Sequence, residues 1–195
     1  MADTTARRGR PRSEKARRAT LQAAAELLLD QGGGQISMDA VAARAGVSKA
    51  TIYRWWPSRE RLVLDALLEW ASASSPPLDT GTLSGDLLAL VGPWVRDIRR
   101  RQFGRVIAAL LAEAQSDPEF AAEYRRHFVE PRREAMHVAF RRAIDRGEAP
   151  ADLDIEVAID LIYGPLYHRV LHGHAPLTDS FATLVVDIVL EGILP

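Results

Sequence analysis

Apolar residues recur at helical spacing along almost the whole chain. Leu21, Ala24, Ala25 and Leu28 fall at i, i+3, i+4 and i+7 behind Ser13, a candidate N-cap, and Gly32 to Gly34 end that first helix. Ser37 can cap a short second helix with Met38, Val41, Ala42 and Ala45 on one face, and Gly46 breaks it. Ser48 opens a third short helix, which Pro57 is expected to end because a residue before proline is pushed out of the α region. Ser58 then caps a fourth, with Val63, Ala66, Leu67 and Trp70 inward. After the linker-like "SASSPPLDTGT" the pattern predicts a helix from Ser84 that bends at Pro93, and another from about Phe103. Asp117 and Pro118 open a long helix that contains Pro131, reaches Arg146 and closes at Gly147. The last two helices run from about Asp154 to His172 and from about Asp179 to Gly192. No alternating apolar run bounded by hairpin turns is present, so the expected fold is all-α, with about nine helices and no repeat.

Composition narrows the partners. Hydrophobic residues at 47% and charged residues at 26% fit a globular protein. With no cysteine there is no disulfide framework, thiolate metal site or cysteine nucleophile. The polar start and short apolar runs suggest neither a signal peptide nor a membrane span, which makes the cytoplasm the expected location. The net charge of −1 hides an asymmetry: 12 Lys and Arg stand against 6 Asp and Glu up to Arg61, and 13 against 20 beyond it. A basic first third on an acidic body suggests an anionic polymer as partner of the first part.

Two short helices joined at Gly46, with a third before them, have the parts of a helix-turn-helix unit. Ala42 is small where the pair must cross. Val41, Ala45, Val47, Ile52 and Trp55 are apolar where it must pack on helix one. Ser48, Lys49, Thr51, Tyr53 and Arg54 are left on the outer face of a helix about two turns long, which can enter a major groove. Trp56 stays open between packing under the fourth helix and a backbone contact.

The stretch "ISMDAVAARAGVSKATIYRWWPSRERLVLDAL" resembles the DNA-binding segment of TetR-type (TetR/AcrR) transcriptional regulators. It carries their Ala-x-x-Ala-Gly-Val-Ser turn, their Lys-x-Thr-hydrophobic-Tyr recognition helix, and an aromatic-x-Ser-Arg opening to the fourth helix. Trp55-Trp56 stands where the family more often has a His-Phe or similar pair. The resemblance implies phosphate contacts by Ser37, Thr51 and Tyr53, a phosphate or base contact by Lys49, and a backbone contact by Arg59 with the amide end of the fourth helix. "LLAEAQSDPEF", "EPRREAMHVAFRRAIDRGE" and "GPLYHRVLHGHAPL" extend it, more weakly, to the family's ligand-binding and dimerisation domain. The expected organisation is a flexible basic arm at 1–12, a three-helix DNA-binding domain at 13–59 with its helix-turn-helix at about 37–56, and a ligand-binding and dimerisation domain at 60–195.

In the arm, "RRGRPR" resembles the core of a minor-groove AT-hook, with Arg10 central; a solvated tail is the other reading. Trp94, Ile98, Phe103, Ile107, Leu110, Phe120, Tyr124, His127, Tyr163 and Tyr167 mix bulky walls with a few polar groups, a make-up shared by ligand pockets and helical cores alike. The resemblance tips these ten toward a pocket for a small apolar effector. The last two helices carry few charges on any face, which suggests a homodimer through a four-helix bundle. His168, His172 and His174 have metal-ligand spacing but no carboxylate fixed beside them, and Arg99 to Arg101 suit a solvated face or a brace against helices one or four. No nucleophile or acid/base set is assembled, and neither a metal nor a cofactor is expected. The chain reads as a regulator that binds double-stranded operator DNA, a palindrome in the dimer, as a repressor released by its effector. A DNA-binding protein with no small-molecule control is the alternative.

Overall fold

Hydroxyl and carboxylate caps set most of the helix starts in the computed structural model, which describes residues 14–30, 36–72, 79–101 and 103–193, without the side chains of 70–72, 100 and 101. The expectations for Ser13, the arm with Arg10, the glycines at 32–34 and the side chains of Trp70, Arg100 and Arg101 lie outside the described residues. Helix α1 (Glu14–Asp30) buries Leu21, Ala24 and Leu28 as the spacing predicts, while Ala25 is half-buried beside them. Ser37 caps α2 (Met38–Ala45), its Oγ accepting from Ala40 N at 3.1 Å. Ser48 caps α3 (Lys49–Tyr53) in the same way from Thr51 N at 3.2 Å. Ser58 Oγ accepts from Arg61 N at 3.3 Å at the start of α4 (Arg59–Ser72).

One start differs from the sequence pattern by one residue, and another matches it but takes its cap from the residue before. Helix α5 (Leu83–Arg101) is capped by Thr82, whose Oγ1 accepts from Gly85 N at 3.1 Å, rather than opened by Ser84. In α10 (Asp179–Ile193) Thr178 Oγ1 accepts from Phe181 N at 3.1 Å. In both places adjacent residues offer competing hydroxyls or carboxylates, and the nearer threonine wins. Helix α6 (Gly104–Ser116) leads into Asp117, whose Oδ1 accepts from Glu119 and Phe120 N at the head of α7 (Pro118–Tyr124). Asp154 caps α9 (Ile155–His172) by accepting from Val157 N at 3.1 Å.

The predicted long helix exists but is not uniform. Helix α7 passes through a π turn at Arg125–Val129, where Glu130 N donates to Arg125 O, into α8 (Glu130–Asp145). Pro131 lies just beyond. It offers no N–H, and its ring crowds the carbonyl four residues back, so a locally widened turn relieves the clash. Gly147, at φ 73°, ends the helix as expected.

The helices bury two apolar clusters. One joins α1 to α4 with α6, α7 and the end of α5; the other joins α5, α8, α9 and α10. Trp94 and Leu177 pack against both and so weld them together. Helix α1 packs on α2 and α4, α4 also meets α6, and α10 lies along α5 and α9. Among the described residues the structure is all-α, and no helix is long and apolar enough to cross a membrane.

Candidate functional site

The turn between α2 and α3 is fixed by backbone geometry. Gly46 adopts φ 65°, ψ 34°, a left-handed conformation that a side chain would strain, and its N–H reaches the carbonyls of Ala42 and Ala43. Val47 N then donates to Ala42 O at 3.1 Å. Ile52 is completely buried against α1 and α2, which aims the opposite side of α3 outward. Ser48, Lys49, Tyr53 and Arg54 are exposed there, with Tyr53 50% accessible despite its aromatic ring, and Thr51 is half-buried. The Ser48 and Thr51 hydroxyls lie 2.9 Å apart. Lys49 Nζ is held 2.9 Å from Asp39 of α2, and that contact raises its pKa above the ordinary lysine value. Ser37 is exposed at the α2 N-terminus, and Arg59 at the head of α4 lies against Glu60 at 2.8 Å. Seven of the eight sequence-predicted contacts thus fall at the helix-turn-helix and the start of α4. Arg10, the eighth, lies outside the described residues.

The structure settles the open question of the tryptophan pair. Trp56, 3% accessible, is the buried one, and its indole Nε1 donates to Asp65 Oδ2 of α4 at 2.8 Å. Trp55, expected behind the helix, is half-buried at the edge of the cluster with the Arg17 guanidinium 5.9 Å from its ring centroid. The cause is the end of α3. The helix ends at Tyr53, short of Pro57, in a turn where Trp55 N and Trp56 N both donate to Ile52 O, at 2.9 and 3.0 Å, and Trp56 packs under α4.

A cavity of about 330 Å³ lies between α8 and α9, lined by Val129, Arg132, Arg133, Asp160, Tyr163, Gly164 and Tyr167. Of the ten residues grouped from sequence, Tyr163 and Tyr167 line it. Trp94 packs on both, with ring centroids 6.1 and 5.3 Å away. Tyr124 is buried in a stack with Phe120 and Phe128, at 6.5 and 5.1 Å. Ile98, Phe103, Ile107, Leu110 and Phe120 are solid core of the first cluster. His127 points away: it sits on the π turn and is exposed, because its neighbours Tyr124 and Phe128 take the inward positions. The structure therefore removes it from the pocket set.

Arg132 and Arg133 were missed because "EPRREAMHVAFRRA" reads as the polar face of an amphipathic helix. Phe120, Tyr124, Phe128, Arg132, Met136 and Phe140 recur every fourth residue. At 3.6 residues per turn such a stripe drifts round an α-helix. The π turn takes back part of that drift and carries Arg132 into line with the aromatic rings. Arg133 pairs with Glu156 and, at 2.6 Å, with Asp160.

Elsewhere, Arg99 braces Asp179 of α10 at 3.0 Å, not helix one or four. His168, His172 and His174 cluster with ring centroids 4.5 to 6.5 Å apart, all exposed, and among the described residues no group of His, Asp or Glu is arranged to hold a metal ion.

An all-helical chain that presents a short helix-turn-helix at one end of a larger helical body is a helix-turn-helix transcription regulator, a DNA-binding protein and not an enzyme. Residues 21–66 match the model for bacterial regulatory proteins of the tetR family, and residues 77–189 match the tetracyclin repressor-like C-terminal domain. The chain belongs to the TetR family of transcriptional regulators. It is 38% identical over 187 residues to an uncharacterized HTH-type transcriptional regulator, YdeS, of Bacillus subtilis (strain 168), covering 96% of this chain and 94% of the relative. It is 34% identical to the DNA-binding transcriptional repressor TetR of Mycobacteroides abscessus, covering 92% and 94%. The crystal structure of the TetR family transcription regulator SCO0332 superposes with a TM-score of 0.78 at 35% identity, over 93% of this chain and all of that one.

Proposed function

We propose that this chain is a dimeric repressor that holds a palindromic operator and is released from it by a small, largely apolar ligand. One observation carries the reading: the α7–α8 helix touches both ends of the machine. Its far part, with Val129 and Arg132, walls the cavity. Its near part presents Glu119 and Glu123, which hold Arg61 of α4 at 3.3 and 3.4 Å, directly behind the helix-turn-helix. A ligand that shifts α7 and α8 would therefore move α4 and the recognition helix with it, and DNA and ligand would oppose each other by linkage. The named repressor among the relatives supports the same sense of regulation. Residues 13–59 would bind DNA, and residues 60–195 would bind ligand and dimerise, in the cytoplasm. Ser37, Ser48, Lys49, Thr51, Tyr53, Arg54 and Arg59 would meet the duplex, with half-site centres about 34–36 Å apart or a larger multiple of a helical turn.

Footprinting on DNA around the protein's own coding region, followed by titration of apolar compounds against the preformed complex, tests the whole reading. Should no compound that binds the protein change its DNA affinity, constitutive DNA binding replaces ligand release. Lys49→Ala and Tyr53→Ala are expected to weaken operator binding without changing the melting temperature, since both side chains are exposed. If Lys49 meets only phosphate, its loss lowers the salt slope by about one and weakens all sequences alike. Unchanged operator affinity in both variants would sink the recognition-helix assignment.

Arg61→Ala separates coupling from binding. It removes both bridges to α7, so ligand-free operator affinity should stay nearly intact while the ligand concentration for half release shifts by about 2- to 30-fold. An unshifted release curve would place the coupling elsewhere.

A further inference from the structure

The cavity between α8 and α9 holds a cation without a counterion. Arg132 is half-buried there, and the loss of water around it pushes its pKa below the ordinary arginine value. Its Nη1 donates to Phe128 O at 2.6 Å, and its guanidinium carbon lies 3.8 Å from the Phe128 ring centroid. Among the described residues Arg132 has no carboxylate partner. The nearby acids are engaged: Asp160 and Glu156 hold Arg133, and Glu156 also meets His137 at 2.6 Å. The tyrosines cannot serve as the missing anion. Burial raises Tyr163 to about 12 and holds Tyr124 and Tyr167 above the usual phenol range, so all three are neutral hydroxyls near pH 7.

A half-buried guanidinium with a single hydrogen bond to a backbone carbonyl and no carboxylate beside it keeps donors free for an anion that enters the cavity. Its planar fork suits a carboxylate, which can accept two parallel hydrogen bonds. Tyr163 and Tyr167, with Trp94 behind them, give the cavity an aromatic wall beside the paired Arg133 and Asp160, and its volume of about 330 Å³ is at the small end for ligand pockets. We infer that the effector is a compact organic acid, its carboxylate on Arg132 and its apolar body against Tyr163 and Tyr167. The regulatory meaning of this site rests on the ligand-release reading above; the anion site itself does not.

The test uses the full chain and matched pairs of probes: benzoate with benzamide, 3-phenylpropionate with 3-phenylpropanamide, and octanoate with octanamide. Calorimetry should show at least one acid binding about 10- to 100-fold more tightly than its amide, the range expected when a charge-assisted hydrogen-bonded pair is lost. Arg132→Gln should abolish that preference, and Arg132→Lys should keep part of it. Arg132→Gln removes a half-buried charge that has no carboxylate partner among the described residues, so it should melt no lower than the parent; should it fail to fold, Arg132→Lys carries the comparison and is expected to reduce acid binding. No acid binding, equal binding of acid and amide, or undiminished acid binding in these variants overturns the inference. Operator release, followed in parallel by fluorescence anisotropy, keeps the two ideas apart. An acid that binds through Arg132 without releasing DNA leaves the site standing and sinks ligand release. Neutral compounds that release DNA equally well in Arg132→Gln do the reverse.

Discussion

Ile188→Glu is expected to convert a dimer into a folded monomer and to cost the operator complex several orders of magnitude in affinity. Ile188 is 58% accessible and Leu184, one turn before it on α10, is 52% accessible. On α9, Val157 and Leu161 repeat the i, i+4 spacing at 52% each. Side chains this large and apolar, aligned on two adjacent helices, need cover, and the matching helices of a second copy would provide it as a two-fold bundle. In such an interface each glutamate would be buried without a partner. At about 3 kcal/mol apiece, two copies weaken the dimer by roughly 10⁴-fold. In the monomer the same glutamate faces water, so helical content and melting of the subunit should not suffer. Light scattering that shows a folded dimer for this variant would remove α10 from the interface.

Trp56→Ala should be the most damaging single truncation at the DNA-binding end. The indole is 3% accessible beneath α4 and tied to Asp65, and emptying such a site costs about 3–5 kcal/mol. For a chain of this size that lowers Tm by roughly 6–20 °C. Trp56→Phe keeps a ring but loses the N–H, at about 1 kcal/mol. Trp55→Ala, at the half-buried edge, should cost less than Trp56→Ala, since it loses partial packing and an Arg17 contact worth about 0.5–1 kcal/mol. A thermal melt in which Trp55→Ala is the more destabilised of the two would contradict the packing of the α3–α4 corner.

That corner shows where reading a sequence succeeds and where it stops. Ser37, Ser48, Asp117 and Asp154 are caps in the structure as in the sequence, and Gly46 and Gly147 are left-handed, because a cap or a positive φ depends on residues within one turn of itself. The all-helical class followed from spacing over longer windows in the same way, and so did the outward face of α3, since Ile52 left it no other orientation. The choice between Trp55 and Trp56 was not local. Both are equally apolar, and only the way α3 ends against α4 decides which indole is covered.

The cavity lies further still from local rules. Its walls come from α8 and α9, more than twenty residues apart in the chain, and aromatic composition could not separate Tyr163 and Tyr167, which line it, from Ile107 and Leu110, which fill core. Nor could it foresee that a π turn before Pro131 would carry an arginine inward and leave His127 in solvent. Sequence alone determined the helices, most of their caps and the outward face of α3, all set by interactions within a few residues. Tertiary packing decided which polar groups lost part of their water, because desolvation depends on what distant segments bring alongside, and at half-buried Arg132 that loss leaves a cation facing the cavity.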